Sequence, residues 1–211
     1  MSVSNSKENI LKKIREALGH PVPLPFPQSE GPNSLFSPPA DDLEIIFAEE
    51  FTKIQGRFSF CMNEKELMQQ LKTLIAAKDW TKIYCSDSRW NDAFSNTISL
   101  STCDASITGC EYLVARTGSI VMSTAEQSGR TVSVYAPVHI CIAYTYQLVF
   151  DIKDALQLIK EKYKDKMPSL ITFASGPSRT ADIEKTLVTG VHGPKEVFLF
   201  LVDAGLANIP V

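Results

Sequence analysis

The sequence lacks the features that mark several large classes of protein. Its 211 residues contain no uninterrupted apolar run of roughly 18 residues, so we predict no membrane-spanning helix. There is no N-terminal apolar segment of the kind that directs secretion, and we therefore expect a cytoplasmic protein. The net charge is −3 without a cluster of lysines and arginines, which argues against nucleic acid as a partner.

Cysteine and histidine are too scattered for the usual metal sites. The five cysteines form no C-x-x-C pair, so we expect no disulfide framework and no iron–sulfur cluster in this chain. A catalytic cysteine paired with a histidine is an alternative, but buried thiols are commoner. The three histidines lack the spacing of metal ligands, and we predict no metal site. These residues are Cys61, Cys85, Cys103, Cys110, Cys141, His20, His139 and His192.

Proline marks the boundary of the main domain. Residues 6–18 have apolar side chains at helical spacing, which predicts an amphipathic helix. The proline-rich stretch at 21–39 can form only an extended linker. We therefore divide the chain into an N-terminal helix with its linker, 1–40, and an α/β domain, 41–211. The extension is either a passive tether or a segment that packs on a partner or on a second copy of the chain, as in a homo-oligomer.

Helix and strand patterns alternate through the domain, which favours the α/β class with a parallel sheet. Helices are predicted over 41–54, 63–77, 87–94 and 151–162, with a short one between Gly109 and Gly118. Strands are predicted over 58–61, 82–85, 119–122, 131–135 and 138–144.

The most distinctive stretch runs over 169–203. Apolar runs at 170–174 and 197–202 predict two buried strands. Between them, a turn leads into a predicted short helix that begins near Thr180 and ends at Gly190. This strand–helix–strand order predicts parallel strands with a ligand near their carboxyl ends.

The turn before that predicted helix has the composition of an anion site. A turn rich in glycine and serine at a helix N-terminus directs free N–H groups to one point, and an arginine can clamp the anion. The alternative is structural, because Arg179 could pair with Asp182 or Glu184. The ligand-binding candidates are Ser175, Gly176, Ser178, Arg179 and Thr180. No nucleotide or dinucleotide fingerprint is present, so any cofactor is unknown.

Two other segments supply candidate site residues. Thr117 and Gly118 can present a hydroxyl and an N–H group at one edge of a sheet. Glu111 lies beside a glycine turn and is a candidate for acid–base or covalent chemistry, unless it is solvated or pairs with Arg116. His192 lies in a tight turn and could donate protons, which makes it a second catalytic candidate.

Three blocks of sequence resemble the LUD domain family, which includes proteins of the lactate utilization protein C type. They are S-G-P-S-R-T-A-D-I-E with L-V-T-G-V-H-G-P (175–184 and 187–194), A-R-T-G-S-I-V (115–121) and Y-A-P-V-H-I (135–140). The last block makes His139 a ligand-binding candidate, although a histidine among apolar neighbours is equally typical of a core. The resemblance extends over about 43–202, which is most of the chain.

The resemblance implies a three-layer α/β/α sandwich similar to the superfamily of sugar-phosphate isomerases and CoA transferases. It also implies a role in oxidising L-lactate to pyruvate. This chain would be the cluster-free subunit beside iron–sulfur partner proteins, with a small carboxylate or phosphate bound at its Gly-Pro-Ser-Arg turn. One alternative is a free-standing isomerase- or CoA-transferase-like enzyme, with Glu111 as nucleophile or base and Arg179 as clamp. Another is a non-catalytic subunit that senses a carboxylate.

Overall fold

A computed structural model describes residues 3–19, 42–90, 93–94, 97–126, 130–183 and 186–205. The chain divides into two compact units, Met1–Pro38 and Pro39–Val211. In the first unit, the predicted N-terminal helix is confirmed as α1 (Val3–Gly19), and its apolar residues Ile10, Leu11 and Ile14 are exposed. The proline-rich linker lies outside the described residues, and residue 40 remains our proposed domain boundary.

The second unit contains the remaining helices and all the strands of the described residues. Its helices are α2 (Leu43–Lys53), α3 (Glu64–Ala77), α4 (Val132–Tyr135) and α5 (Ile152–Tyr163). Its strands are β1 (Arg57–Cys61), β2 (Ile83–Cys85), β3 (Ala105–Thr108), β4 (Tyr112–Val114), β5 (Ser119–Ser123), β6 (Val138–Tyr144), β7 (Leu148–Val149), β8 (Ile171–Ala174), β9 (Arg179–Ile183), β10 (Thr186–Thr189) and β11 (Glu196–Val202).

A five-stranded parallel sheet forms the middle layer, in the order β1-β11-β6-β3-β2. Its central strands β6 and β11 are almost continuously apolar, because both faces of the sheet are covered. On one face, α3 packs Leu67 and Leu71 into the core. The side chain of Asn63 caps this helix as predicted, since it accepts a hydrogen bond from the N–H of Glu66.

The other face of the parallel sheet is covered by α2 and by a second, four-stranded sheet in the order β7-β4-β5-β8. Phe47 and Phe51 of α2 are fully buried between these elements. Helix α5 packs Ala155 and Ile159 against the outer face of the second sheet. The predicted three-layer α/β/α class is confirmed. The sequence patterns did not indicate the second sheet, which lies between the parallel sheet and α5.

The predicted helix at Thr180 is wrong. Residues Arg179–Ile183 form strand β9, which pairs antiparallel with β10 in a separate two-stranded sheet. Both strands are rich in threonine, valine and isoleucine, whose branched side chains favour extended backbone. The strand–helix–strand unit is also wrong, because β8 pairs antiparallel with β5 while β11 lies in the parallel sheet.

Three shorter predictions need correction for similar reasons. The segment between Gly109 and Gly118 contains strand β4 and one 3-10 turn, because Tyr112–Val114 gains partners from β5 and β7. Residues 131–135 contain the short helix α4 where we predicted a strand. Residues 88–90 form a turn where we predicted a helix. In each case a short apolar run is ambiguous between strand and helix, and tertiary contacts decide.

Candidate functional site

The structure divides the predicted site residues between the two edges of the parallel sheet. Strands β6 and β11 run parallel to each other. Their amino-terminal ends lie on one side of the sheet, which we call the amino edge, and their carboxyl-terminal ends lie on the opposite side, which we call the carboxyl edge. The three LUD-like blocks form four segments, 115–121, 135–140, 175–183 and 187–194, and these meet at the amino edge. Glu111 lies at the carboxyl edge, three residues after the end of β3.

Backbone hydrogen bonds hold the amino-edge segments together. The N–H of Lys195 donates to the carbonyl of Pro137 at 2.8 Å, and the N–H of Ser178 donates to the carbonyl of Pro194 at 2.9 Å. The N–H of Gly190 donates to the carbonyl of Ser178 at 3.0 Å. These bonds join the turn at Ser178 to residues 190–195, and they join residues 190–195 to Pro137, which is distant in sequence.

A cavity of about 510 Å³ opens at this edge between 134–137 and 190–195. His192 and Lys195 are exposed side chains of its lining, together with Tyr135. The described residues of the lining include no aspartate or glutamate, and the neighbouring Glu196 forms ion pairs elsewhere, with Arg57 and Lys78. The described lining therefore has the positive charge of Lys195, and the predicted catalytic residue His192 lies at its wall.

Two predicted ligand-binding glycines lie against the end of α2. Gly118 has φ +57°, and a Cβ there would lie 2.6 Å from the backbone nitrogen of Phe51. Gly176 has φ +77°, and a Cβ there would overlap the carbonyl oxygen of Ile54. Only glycine combines this backbone conformation with such a close approach.

Arg179 is also engaged with α2. Its guanidinium donates a hydrogen bond to the carbonyl of Ile54, the residue that follows the last turn of this helix. Donors and positive charge are favourable at a helix C-terminus. The premise that Thr180 opens a helix with free N–H groups is wrong, because Thr180 lies within β9. A clamp function for Arg179 therefore has no helix N-terminus beside it, but it stays a prediction, because one hydrogen bond to Ile54 leaves further N–H donors on the guanidinium.

Three hydroxyl groups near the turn are connected in a row by hydrogen bonds. The Oγ1 atom of Thr117 lies 2.8 Å from Oγ of Ser119, which lies 2.7 Å from Oγ of Ser175. These contacts connect the start of β5 to the end of β8. Of the remaining turn residues, Ser178 faces Gly193, where an added Cβ would lie 3.0 Å from the Cβ of Ser178.

His139 is a core residue. Its side chain is 1% exposed, and its Nε2 atom forms a 2.8 Å hydrogen bond with the hydroxyl of Thr108 on the adjacent strand β3. Burial lowers the pKa of His139 to about 4, so the imidazole is neutral at physiological pH. This geometry matches the core interpretation that the sequence left open for His139. The catalytic-cysteine alternative gains no support here, because all five cysteines are buried.

Glu111 is a buried carboxylate with three hydrogen-bond donors. Ser123 donates at 2.5 Å, and Lys162 and Tyr163 of α5 each donate at 2.7 Å. Burial would raise the pKa of Glu111, but these three donors outweigh it and hold the pKa below its ordinary value. The expected pairing with Arg116 does not occur, because Arg116 forms a 2.8 Å ion pair with Asp151.

A second ion pair faces Glu111 across the carboxyl edge. Arg89 binds Asp87 through Nε and Nη2 in the turn after β2, and both side chains approach Gly109. A Cβ at Gly109 would lie 2.8 Å from the Arg89 guanidinium and 3.6 Å from a carboxylate oxygen of Glu126. Glu126 in turn lies 4.0 Å from the ammonium of Lys162. We call this set the carboxyl-edge cluster: Asp87, Arg89, Glu111, Glu126 and Lys162.

Sequence reasoning found only Glu111 of this cluster. Arg89, Glu126 and Lys162 belong to segments that gave no motif, and they converge only because β2, β3, β5 and α5 end at the same edge. One signal was available: Gly109 follows a strand, and a glycine at a strand end often admits the close approach of other groups.

The comparison with protein families adds the identity of the domain. A profile of the LUD domain matches residues 95–202. The chain belongs to the LUD domain family. That match includes the four blocks at the amino edge and also Gly109, Glu111, Glu126 and Lys162 of the carboxyl edge.

Several relatives have curated names. An uncharacterised protein of Neisseria meningitidis is 33% identical over 99 residues, covering 47% of this chain and 42% of the relative. Lactate utilization protein C of Deinococcus radiodurans is 33% identical over 104 residues, covering 49% of this chain and 48% of the relative. The chain thus spans less than half the length of these two relatives. Lactate utilization protein C 1 of Bacillus mycoides is 28% identical over 238 residues, covering 96% of this chain and 99% of the relative.

A solved structure supports the fold. The crystal structure of a DUF162 family protein from Deinococcus radiodurans has a TM-score of 0.57 and 16% identity, and it covers 78% of this chain and 99% of that one. Among the described residues, no helix is long and apolar enough to span a membrane. The same residues contain no group of three or more histidine, cysteine or acidic side chains placed to hold a metal ion.

Proposed function

We propose that this chain is the cluster-free component of a cytoplasmic L-lactate utilization system. The observation that carries the proposal is the alignment over 96% of the chain with lactate utilization protein C 1 of Bacillus mycoides. Oxidation of L-lactate to pyruvate releases two electrons and two protons. Because the cysteines of this chain are buried and lack cluster spacing, iron–sulfur partner proteins would accept the electrons.

The first test of this proposal is a reconstitution. Lactate-dependent reduction of a redox dye is measured with the iron–sulfur partner proteins, with and without this chain. We expect the rate to depend on the chain. The outcome against the proposal is an equal rate in both mixtures, which would leave the chain without a role in lactate oxidation.

The amino-edge cavity favours a second candidate function, that of a subunit that senses a small carboxylate or phosphate. His192 and Lys195 line a cavity whose described lining includes no acidic residue, and this composition suits an anion. Pyruvate or inorganic phosphate should then raise the melting temperature of the wild-type chain, and the double variant His192→Ala, Lys195→Ala should lose that effect. An equal response in both proteins would exclude this cavity as the binding site.

The third possibility, an isomerase- or CoA-transferase-like enzyme with Glu111 as nucleophile, has less support in the geometry. The side chain of Glu111 has no exposed area, and its two oxygen atoms accept hydrogen bonds from three donors. A carboxylate held in this way positions its neighbours and is not available to attack a substrate. A nucleophile or base at this edge would have to be a more accessible group.

A further inference from the structure

The carboxyl-edge cluster contains one acid without a dedicated partner. Asp87 is paired with Arg89, and Glu111 with Lys162. Glu126 has only the distant contact with Lys162, at 4.0 Å, and no hydrogen bond to its carboxylate is recorded within the described residues. Its side chain is 21% exposed, so the carboxyl group lies at the surface of the cluster, where a ligand can reach it.

We propose that the carboxyl-edge cluster is a binding site for a 2-hydroxy or 2-oxo carboxylate. Arg89 and Lys162 hold the ligand carboxylate, and Glu126 meets the oxygen atom on the adjacent carbon. The proposal deepens the proposed function, and rests on it for the choice of lactate and pyruvate as ligands.

The two cations have the capacity for this task. The side chains of Arg89 and Lys162 are each 48% exposed, although each is anchored by a buried acid. Arg89 uses Nε and Nη2 to bind Asp87, and an arginine has further N–H donors beyond those. Anchored cations with spare donors are positioned in advance, so they bind a carboxylate with less loss of side-chain entropy.

Glu126 is suited to hold or release a proton. Burial raises its pKa, and the negative charge of Glu111 adds to the rise, while Lys162 and Arg89 oppose it. With Glu126 ionised, the cluster has a net charge of −1, so an anionic ligand is better accommodated when Glu126 is protonated. The charged and titratable groups that act on Glu126 or respond to it are Asp87, Arg89, Cys110, Glu111, Tyr146 and Lys162.

The protonation state of Glu126 should discriminate between the two ligands. An ionised carboxylate only accepts hydrogen bonds, so it can bond to the hydroxyl of lactate but not to the carbonyl oxygen of pyruvate. A protonated carboxyl can donate to that carbonyl. Both affinities should therefore rise as pH falls, because the site becomes less negative, and pyruvate should gain more than lactate.

The experiment is isothermal titration calorimetry of the isolated 211-residue chain with sodium lactate and with sodium pyruvate, between about pH 5 and about pH 8. The measured quantity is the ratio of the lactate Kd to the pyruvate Kd. We expect this ratio to rise about tenfold toward low pH, the order expected for one hydrogen bond to a charged group. In Glu126→Gln the ratio should be independent of pH, because an amide both donates and accepts at every pH.

Two further variants complete the test. Arg89→Gln should weaken both ligands together without removing the pH dependence of the ratio, and Glu49→Gln, at an exposed position on α2, should behave as the wild type. A pH-dependent ratio that persists in Glu126→Gln would overturn the proposal. So would unmeasurable binding in the wild type, or a loss of binding only in the His192→Ala, Lys195→Ala variant.

Calorimetry and dye reduction can fail separately. If Glu126→Gln removes the pH dependence of the ratio of dissociation constants but the rate of dye reduction does not depend on the chain, the ligand site is supported and the role in lactate oxidation is refuted. If dye reduction requires the chain but Glu126→Gln binds both ligands as the wild type does at every pH, the role in lactate oxidation is supported and the assignment of the ligand site to the carboxyl-edge cluster is refuted.

Discussion

Replacing Glu111 by glutamine tests how much the buried carboxylate of the carboxyl-edge cluster contributes to the stability of the fold. The substitution keeps the shape of the side chain but removes its negative charge. Ser123, Lys162 and Tyr163 all donate to the carboxylate, whereas an amide has one acceptor oxygen and adds two donors of its own. At least one donor must then lose its partner, and for Ser123, which is buried, no water can replace it.

The expected loss in the free energy of unfolding follows from these hydrogen bonds. A hydrogen bond to a charged group contributes about 1.5–3 kcal/mol, whereas the ion pair itself contributes little because Lys162 is half exposed. We expect Glu111→Gln to lower the free energy of unfolding by about 2 kcal/mol near neutral pH. With a urea m-value of about 2 kcal/mol per M, the unfolding midpoint should fall by roughly 1 M.

The pH dependence supplies a stricter check. The pKa of Glu111 is lower in the folded state, so its stabilising effect is present above the unfolded pKa and is lost as pH falls through the folded one. The difference between the wild type and Glu111→Gln in urea unfolding should therefore be constant above about pH 5 and should shrink in more acidic solution. Glu161→Gln, an exposed change on the same helix as Lys162, should shift the midpoint little. An unchanged midpoint in Glu111→Gln, or a difference that grows on acidification, would refute this reasoning.

Three further changes probe the amino edge and the core. Gly118→Ala should lower the free energy of unfolding by about 3 kcal/mol or more, because the added Cβ would overlap α2. Gly205→Ala, at a similar positive φ in open space, should lower it by only about 1 kcal/mol. Equal losses in urea unfolding would contradict the close contact with α2. Arg179→Ala should lose about 1 kcal/mol and should retain stabilisation by pyruvate, and a selective loss of that stabilisation in a thermal melt would restore Arg179 as a clamp. The His139 imidazole should stay neutral in the folded protein down to about pH 4. The free energy of unfolding should therefore fall by about 1.4 kcal/mol per pH unit from about pH 6.5 downward, because only the unfolded chain binds the proton in that range. An NMR titration of the His139 ring with a midpoint near about 6.5 would be inconsistent with its burial.

Long periodic segments were predictable from the sequence, and short ones were not. Helices α2, α3 and α5 lie close to their predicted ranges because each has a full amphipathic stripe, and β6 and β11 are long apolar runs. In contrast, α4 and β4 contain four and three residues, so their conformation depends on neighbours that the local sequence does not identify.

The candidate site shows a similar limit. The sequence analysis expected a ligand near the carboxyl ends of the strands, whereas the turn that contains Ser178 lies at the amino edge, beside the start of β11. Gly118 and Gly176 are explained by their close approach to α2. The anion site expected at the turn combined the guanidinium of Arg179 with the N-terminus of a helix at Thr180. That segment is a strand, so the helix part of the expectation is wrong, and the role of Arg179 stays a prediction. Arg89 and Glu126 could not be predicted, because each is an ordinary charged residue until the fold brings it next to Gly109.

The position of β11 has a consequence for how the protein is made. Among the described residues β11 is the last strand, and it lies between β1, the first of them, and β6. Until residues 196–202 have left the ribosome, β1 and β6 lack the neighbour that joins them, and two apolar strand edges stay open. The parallel sheet can therefore close only after residues 196–202 have been made, and it closes through contacts such as Arg57 with Phe198 that join distant parts of the chain. A chain that terminates before β11 should expose those edges and aggregate instead of forming a smaller domain.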